Sequence, residues 1–172
     1  EFRRVLPENA RWLAREGLEV VVAMDEPSEE AGLLDLVRGY PGIRWTILVN
    51  DVPHPWRPPC RAINVGLRHA RGSYVLVASP ESAFAGDAPR HALEAVADFP
   101  GGIATGRVAF ARFGDVPFGR TYAEHFEAIA GAPATSILSY YGSICAPRAA
   151  FEAIGGYDER FADWGGDDDD LR

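Results

Sequence analysis

The chain contains no lysine. Its 17 basic side chains are all arginine, set against 25 aspartates and glutamates, for a net charge of −8. A surface this acidic excludes general binding to nucleic acid, which needs basic side chains to neutralise phosphates. The arginine bias reads mainly as the coding preference of a GC-rich genome, although a guanidinium also grips phosphate through paired hydrogen bonds. Cysteine is scarce as well: Cys60 and Cys145 are too few and too isolated for a disulfide framework or a zinc site, so both are expected as free thiols. His54, His69, His91 and His125 show no paired ligand spacing and are expected at the surface or in packing. No apolar run approaches the roughly 18 residues that span a bilayer, and no signal-peptide pattern opens the chain. A cytoplasmic location is expected, with membrane association left to a segment outside these residues.

What the chain has is enough apolar content, 47% over 172 residues, for one sizeable core, so a single domain over 1–172 is expected. Helical and strand patterns alternate along it. Phe2, Val5, Leu6, Trp12 and Leu13 mark a helical stripe stopped by Gly17, and a strand follows over 18–24. A helix over about 28–38 ends at Gly39, and Ile43, Trp45, Ile47 and Val49 alternate as a strand. The segment 51–59 carries four prolines and is expected as a loop. Next come a helix over about 60–71 ended by Gly72, a buried strand over 73–78, a helix capped by Asp87 and running to about 98, and a strand over 102–110. Residues 119–130 read as helix and 139–146 as strand, and Pro147 starts a last helix. Such alternation predicts a layered α/β/α domain with a mostly parallel sheet. Ligands in such sheets bind beyond the carboxyl ends of the strands, where Asp25, Glu81 and the Trp164 segment are expected to gather.

The most informative run is Trp164-Gly165-Gly166-Asp167-Asp168-Asp169-Asp170. An indole stacks on the apolar face of a pyranose, glycine lets backbone approach a ligand, and carboxylates can take a proton from a sugar hydroxyl. Four adjacent aspartates taken alone are usually a solvated acidic tail. The residues before them, Gly155-Gly156-Tyr157-Asp158-Glu159-Arg160-Phe161, form a double-glycine turn with aromatics, which is not the composition of a disordered tail. A calcium site at Asp167 to Asp170 lacks the spaced ligands and turn glycine of a calcium loop.

Together these two segments resemble the acceptor-side motif of inverting glycosyltransferases of the GT-A fold, both the family 2 enzymes and the β-1,4-galactosyltransferases. Asp167 stands where that motif usually has glutamate. The resemblance implies Asp168 as catalytic base, with Trp164, Gly165, Gly166 and Asp167 on the acceptor. Upstream, Arg61-Ala62-Ile63-Asn64-Val65-Gly66-Leu67, followed by 70–77, is similar to the family's Arg-Ala-x-Asn-x-Gly helix and the strand leading to the donor site. Asp25-Glu26-Pro27-Ser28 is similar to the strand end that touches the nucleotide. The implied donor-binding residues are therefore Asp25, Arg61, Asn64 and Glu81. Where the family's metal-dependent members carry Asp-x-Asp, this chain reads Ser79-Pro80-Glu81, so Glu81 is the one carboxylate there that can ligate Mn2+ or Mg2+.

The resemblance implies a nucleotide-sugar donor, UDP by preference, and a glycan or lipid-linked acceptor. A non-catalytic nucleotide-sugar- or carbohydrate-binding relative with a degenerate metal motif is the alternative. Domains of this kind normally open with a strand, so a piece lacking the first strand and incomplete at both ends is expected.

Overall fold

The computed structural model describes residues 2–25, 27–55, 58–99, 101–106 and 143–161. The expected helix over 119–130, residues 107–110 of the expected strand over 102–110 and the whole Trp164–Asp170 run lie outside the described residues. Five helices and five strands are described: α1 Phe2–Leu13, β1 Val20–Met24, α2 Glu30–Arg38 after a 3-10 turn at Pro27–Glu29, β2 Trp45–Val49, α3 Cys60–His69, β3 Tyr74–Ala78, α4 Ala88–Asp98, β4 Ala104–Thr105, β5 Ser143–Pro147 and α5 Arg148–Ile154. Strands β1 and β2 form one sheet, and the order β3-β5-β4 forms another.

The described chain divides into two compact units, one built from residues 1–12 and 76–146, the other from 13–75 and 147–172. In the first, Val5, Leu6, Val96, Ile144, Cys145 and Ala146 are buried. Asn9 follows Val5 by four residues and Leu6 by three, which puts all three on one face of α1. Short β4 pairs antiparallel with β5, Ala104 opposite Cys145 and Thr105 opposite Ile144. The Asp87 carboxylate accepts the Arg90 backbone N–H at 3.2 Å and starts α4 as expected.

The second unit buries Leu33, Val37, Ile43, Cys60, Phe151 and Tyr157. Here β1 and β2 run parallel in the register Val20 to Trp45 through Met24 to Val49. Their sequences, Val-Val-Val-Ala-Met and Trp-Thr-Ile-Leu-Val, are the β-branched runs that parallel strands favour. The two cysteines are free and buried, and burial pushes the Cys145 thiol up.

Helix α3 packs on β1 with Gly66 facing Val21 and Ala23. A Cβ added at Gly66 would stand 3.8 Å from the Ala23 Cβ and 3.9 Å from Val21 Cγ1, ordinary contact distances. Gly66→Ala is therefore expected to stabilise the protein by about 0.5–1 kcal/mol through reduced freedom of the unfolded chain, measured by urea denaturation. A loss of stability would show that α3 sits closer to β1 than these distances.

The end of α3 differs from expectation. The helix stops at His69 and Ala70 turns extended (φ −63°, ψ 134°), so no left-handed glycine is needed there. Gly72 lies beyond it, and the backbone N–H groups of Arg71 and Gly72 both donate to Glu19 Oε1, at 2.6 and 3.3 Å. After β5, Pro147 is the residue before α5 rather than its first turn, and the Arg148 backbone N–H donates to Ser73 O at 2.9 Å. Helix α5 ends at Gly155, left-handed at φ 81°, and Gly156 follows at φ 80°. Among the described residues no helix is long and apolar enough to cross a membrane.

Candidate functional site

Asp25 stands directly after the carboxyl end of β1, and Asn50 directly after that of β2. The parallel register continues one step past the strands, with the Asn50 backbone N–H donating to Met24 O at 2.8 Å. That pairing brings the two side chains together. Asn50 Nδ2 donates to Asp25 Oδ1 at 3.1 Å, and Asn50 Oδ1 accepts the Val52 N–H at 3.1 Å. The proline-rich loop then returns His54 to the same carboxylate, its Nε2 3.6 Å from Asp25 Oδ1 and its side chain only 10% exposed. Asp25 keeps 25% exposure, so ligand can reach it. The sequence reading placed Asp25 here but missed Asn50 and His54. A polar residue ending the second of two parallel strands was the available signal for Asn50. For His54, isolated among prolines, there was none.

A cleft of about 400 Å3 lined by Gly17, Glu19, Arg44, Arg71, Gly72 and Ser73 opens at the amino-terminal ends of β1 and β2. It lies a strand length, roughly 16 Å, from Asp25 and away from the edge where α/β sheets bind ligands.

In the same unit, α3 and the double-glycine turn interlock. Asn64 is buried, and its Oδ1 accepts the Tyr157 N–H at 2.8 Å while Nδ2 donates to Tyr157 O at 2.8 Å and to Glu159 Oε1 at 3.0 Å. Both N–H groups of this amide are thereby engaged by the turn. Arg61 Nη2 donates to Glu159 O at 3.2 Å, and Arg68 Nη1 lies 3.7 Å from Glu159 Oε1. Gly156 is required at its position: a Cβ there would fall 2.3 Å from Asn64 Oδ1, and its φ is positive. Hydrogen bonds from the Arg160 guanidinium, and then from its backbone N–H, hold the partly exposed Asp158 carboxyl below its ordinary range and close the turn. The α3 segment and the double-glycine turn, two of the segments that carried the resemblance, are thus packed together, although more than ninety residues apart in sequence.

Glu81 belongs to the other unit, in the turn after β3 where Ser82 N–H donates to Ser79 O at 3.1 Å. Buried Asn9 of α1 fixes this loop, donating to Ser82 O at 2.9 Å and accepting the Phe84 N–H at 2.8 Å. Asn9 is a second positioning group that sequence reading missed, hidden within a helical stripe. Glu81 itself is exposed. Among the described residues no group of three or more His, Cys, Asp or Glu side chains is assembled to hold a metal ion. A hard divalent cation at a diphosphate takes most of its oxygens from the phosphates and water and one or two from carboxylates, so exposed Glu81 could supply one of them. Asp168, Asp167, Trp164, Gly165 and Gly166 lie outside the described residues.

A family model described as the N-terminal domain of galactosyltransferase matches residues 132–172, the span that holds the double-glycine turn and the acidic run. No curated protein matches the chain. Among solved structures, the chain is similar to the mannosyltransferase PcManGT from Pyrobaculum calidifontis in complex with GDP-Man and Mn2+, with a TM-score of 0.64 and 20% identity. That likeness covers 99% of this chain and 47% of the other, so the chain spans about half the length of the structure it matches. The alternation of helices and strands and this likeness together show that the chain has the α/β fold of the GT-A glycosyltransferases.

Proposed function

We propose that the chain is the catalytic part of an inverting glycosyltransferase that moves a sugar from a nucleoside diphosphate, UDP by preference, to a hydroxyl of a glycan or lipid-linked acceptor. The observation that carries this reading is the Asn64 interlock, because it joins the donor-side helix to the turn that leads into the acceptor motif. Asp25, at the carboxyl edge of parallel β1 and β2, meets the base or ribose. Arg61 lies toward the diphosphate, and Asn64 serves the donor side by fixing the turn. Trp164 stacks the acceptor sugar, with Gly165 and Gly166 giving it room and Asp167 binding its hydroxyls.

Asp168 then removes the proton of the attacking hydroxyl. The acceptor oxygen bonds to the anomeric carbon as the bond from that carbon to the phosphate oxygen breaks on the opposite face. The electron pair leaves with the nucleoside diphosphate, whose charge Arg61 offsets. A divalent cation held by Glu81 would add positive charge at the same phosphates.

Ser79-Pro80, standing where metal-dependent members carry the first Asp of Asp-x-Asp, favours a second reading, a nucleotide-sugar- or carbohydrate-binding relative without transfer activity. Calorimetric titration with UDP and GDP, with and without manganese, tests both. Saturable binding of one nucleotide is expected, and manganese-dependent binding that Glu81→Gln abolishes would make Glu81 a metal ligand. Binding of a nucleotide sugar with neither hydrolysis nor transfer would support the second reading. Binding of neither nucleotide would overturn the donor-site assignment.

A further inference from the structure

We propose that the cleft at the amino-terminal ends of β1 and β2 is a binding site for a phosphate-bearing anion, held by Arg44 and Arg71. It lies at the opposite end of these strands from Asp25 and does not rest on the donor-site reading. Two separate ties bring the arginines to one place. The Val20 N–H donates to Arg44 O at 2.9 Å, and Glu19 Oε1 accepts the N–H groups of Arg71 and Gly72 at 2.6 and 3.3 Å. Both arginine backbones are thereby fixed beside the start of β1, and both residues are exposed on the wall of a space of about 400 Å3.

Neither guanidinium has a hydrogen-bond, ion-pair or ring partner among the described residues, although acids outnumber bases by 25 to 17. Elsewhere the chain pairs such side chains: Arg38 with Asp35, Arg90 with Glu94 and Arg160 with Asp158. The carboxylate in the cleft, Glu19, is engaged by the two backbone N–H groups. A guanidinium is a planar fork that takes phosphate through paired hydrogen bonds. Two of them match the roughly −1.5 to −2 charge of a phosphate monoester better than the single charge of a carboxylate. The lining, Gly17, Glu19, Arg44, Arg71, Gly72 and Ser73, has no apolar side chain, and the Ser73 hydroxyl adds a further donor. The space falls within the roughly 300–1,000 Å3 of small-molecule sites, and its polar wall suits a charged ligand.

The test is a proton–nitrogen NMR titration of the 172-residue protein with inorganic phosphate, and with acetate for comparison. Saturable shifts of the Arg71, Gly72 and Ser73 N–H signals are expected, with acetate about tenfold weaker or more. Arg44→Ala and Arg71→Ala are each expected to weaken phosphate about tenfold or more, the worth of a hydrogen bond to a charged group. Neither side chain has an internal partner, so both variants are expected to keep the spectrum of the folded protein. Arg38→Ala removes an equal charge from an exposed ion pair and is the control; phosphate affinity stays within about twofold. Shifts that do not saturate, acetate bound as tightly as phosphate, or an equal loss in Arg38→Ala overturn the site. Sedimentation with vesicles of phosphatidylcholine and phosphatidic acid in equal parts, beside phosphatidylcholine alone, identifies the source of the phosphate. Retention that Arg44→Ala abolishes assigns a lipid headgroup, and phosphate binding without retention assigns a soluble phosphate. Failure of nucleotide binding at Asp25 would leave these results unchanged.

Discussion

Asp168→Asn is expected to lower glycosyl transfer about 10²- to 10⁴-fold, the usual contribution of a placed general base, while nucleotide affinity stays within about twofold. The amide keeps the shape of the side chain but cannot accept the hydroxyl proton in the pH range where a carboxylate can. The effect therefore falls on the transition state and not on the donor. Asp167→Asn, one residue away and equal in charge, is the control. On the proposed reading Asp167 binds acceptor hydroxyls, so its effect is expected mainly in KM for the acceptor, with kcat reduced far less. Steady-state transfer rates beside calorimetric nucleotide affinities separate the two. Comparable turnover by Asp168→Asn would remove Asp168 from the base role, and parallel loss of nucleotide binding would assign it to the donor.

Gly156→Ala is expected to destabilise the fold by about 3 kcal/mol or more, a large share of the 5–15 kcal/mol that holds a typical domain. Two terms add. A side chain at φ 80° costs about 1–2 kcal/mol in the left-handed region. The new Cβ would also meet Asn64 Oδ1 at 2.3 Å, and Asn64 has nowhere to retreat, because Tyr157 holds both its oxygen and its nitrogen. Moving it strands the buried N–H and C=O of Tyr157, each about 1–3 kcal/mol if left unpaired. Urea denaturation measures the loss. Asn64→Ala should cost a similar amount alone, and in that background Gly156→Ala should cost only the backbone term, about 1–2 kcal/mol. Additive losses in the double mutant would show that glycine and asparagine do not constrain each other.

Much of the fold was legible because its signals are local. The apolar stripe of α1, the β-branched runs of β1 and β2 and the Asp87 cap each announce an element within a few residues. The end of α3 was misread because Gly72 looked like a left-handed stop, whereas the chain already turns extended at Ala70 and a distant carboxylate, Glu19, takes the free N–H groups. That competing partner lies more than fifty residues away, beyond any local rule.

The site divides along the same line. Asp25 was expected at a strand end, where the structure puts it, and the motif segments were read from their residue pattern. What the pattern did not reveal is that Asn64 binds the Tyr157 backbone, which makes it a joint between the motifs as well as a polar helix residue. Asn9, Asn50 and His54 were missed for one reason: each owes its position to a tertiary contact, with the loop after β3 in the first case and with Asp25 in the others.

The most direct measurement is the proton NMR spectrum of the product formed from α-configured UDP-hexoses with a panel of sugar acceptors, run beside Asp168→Asn. A β-linked product that is lost in the variant is the expected result. An α-linked product, or an equal rate from Asp168→Asn, would contradict inverting transfer with Asp168 as its base.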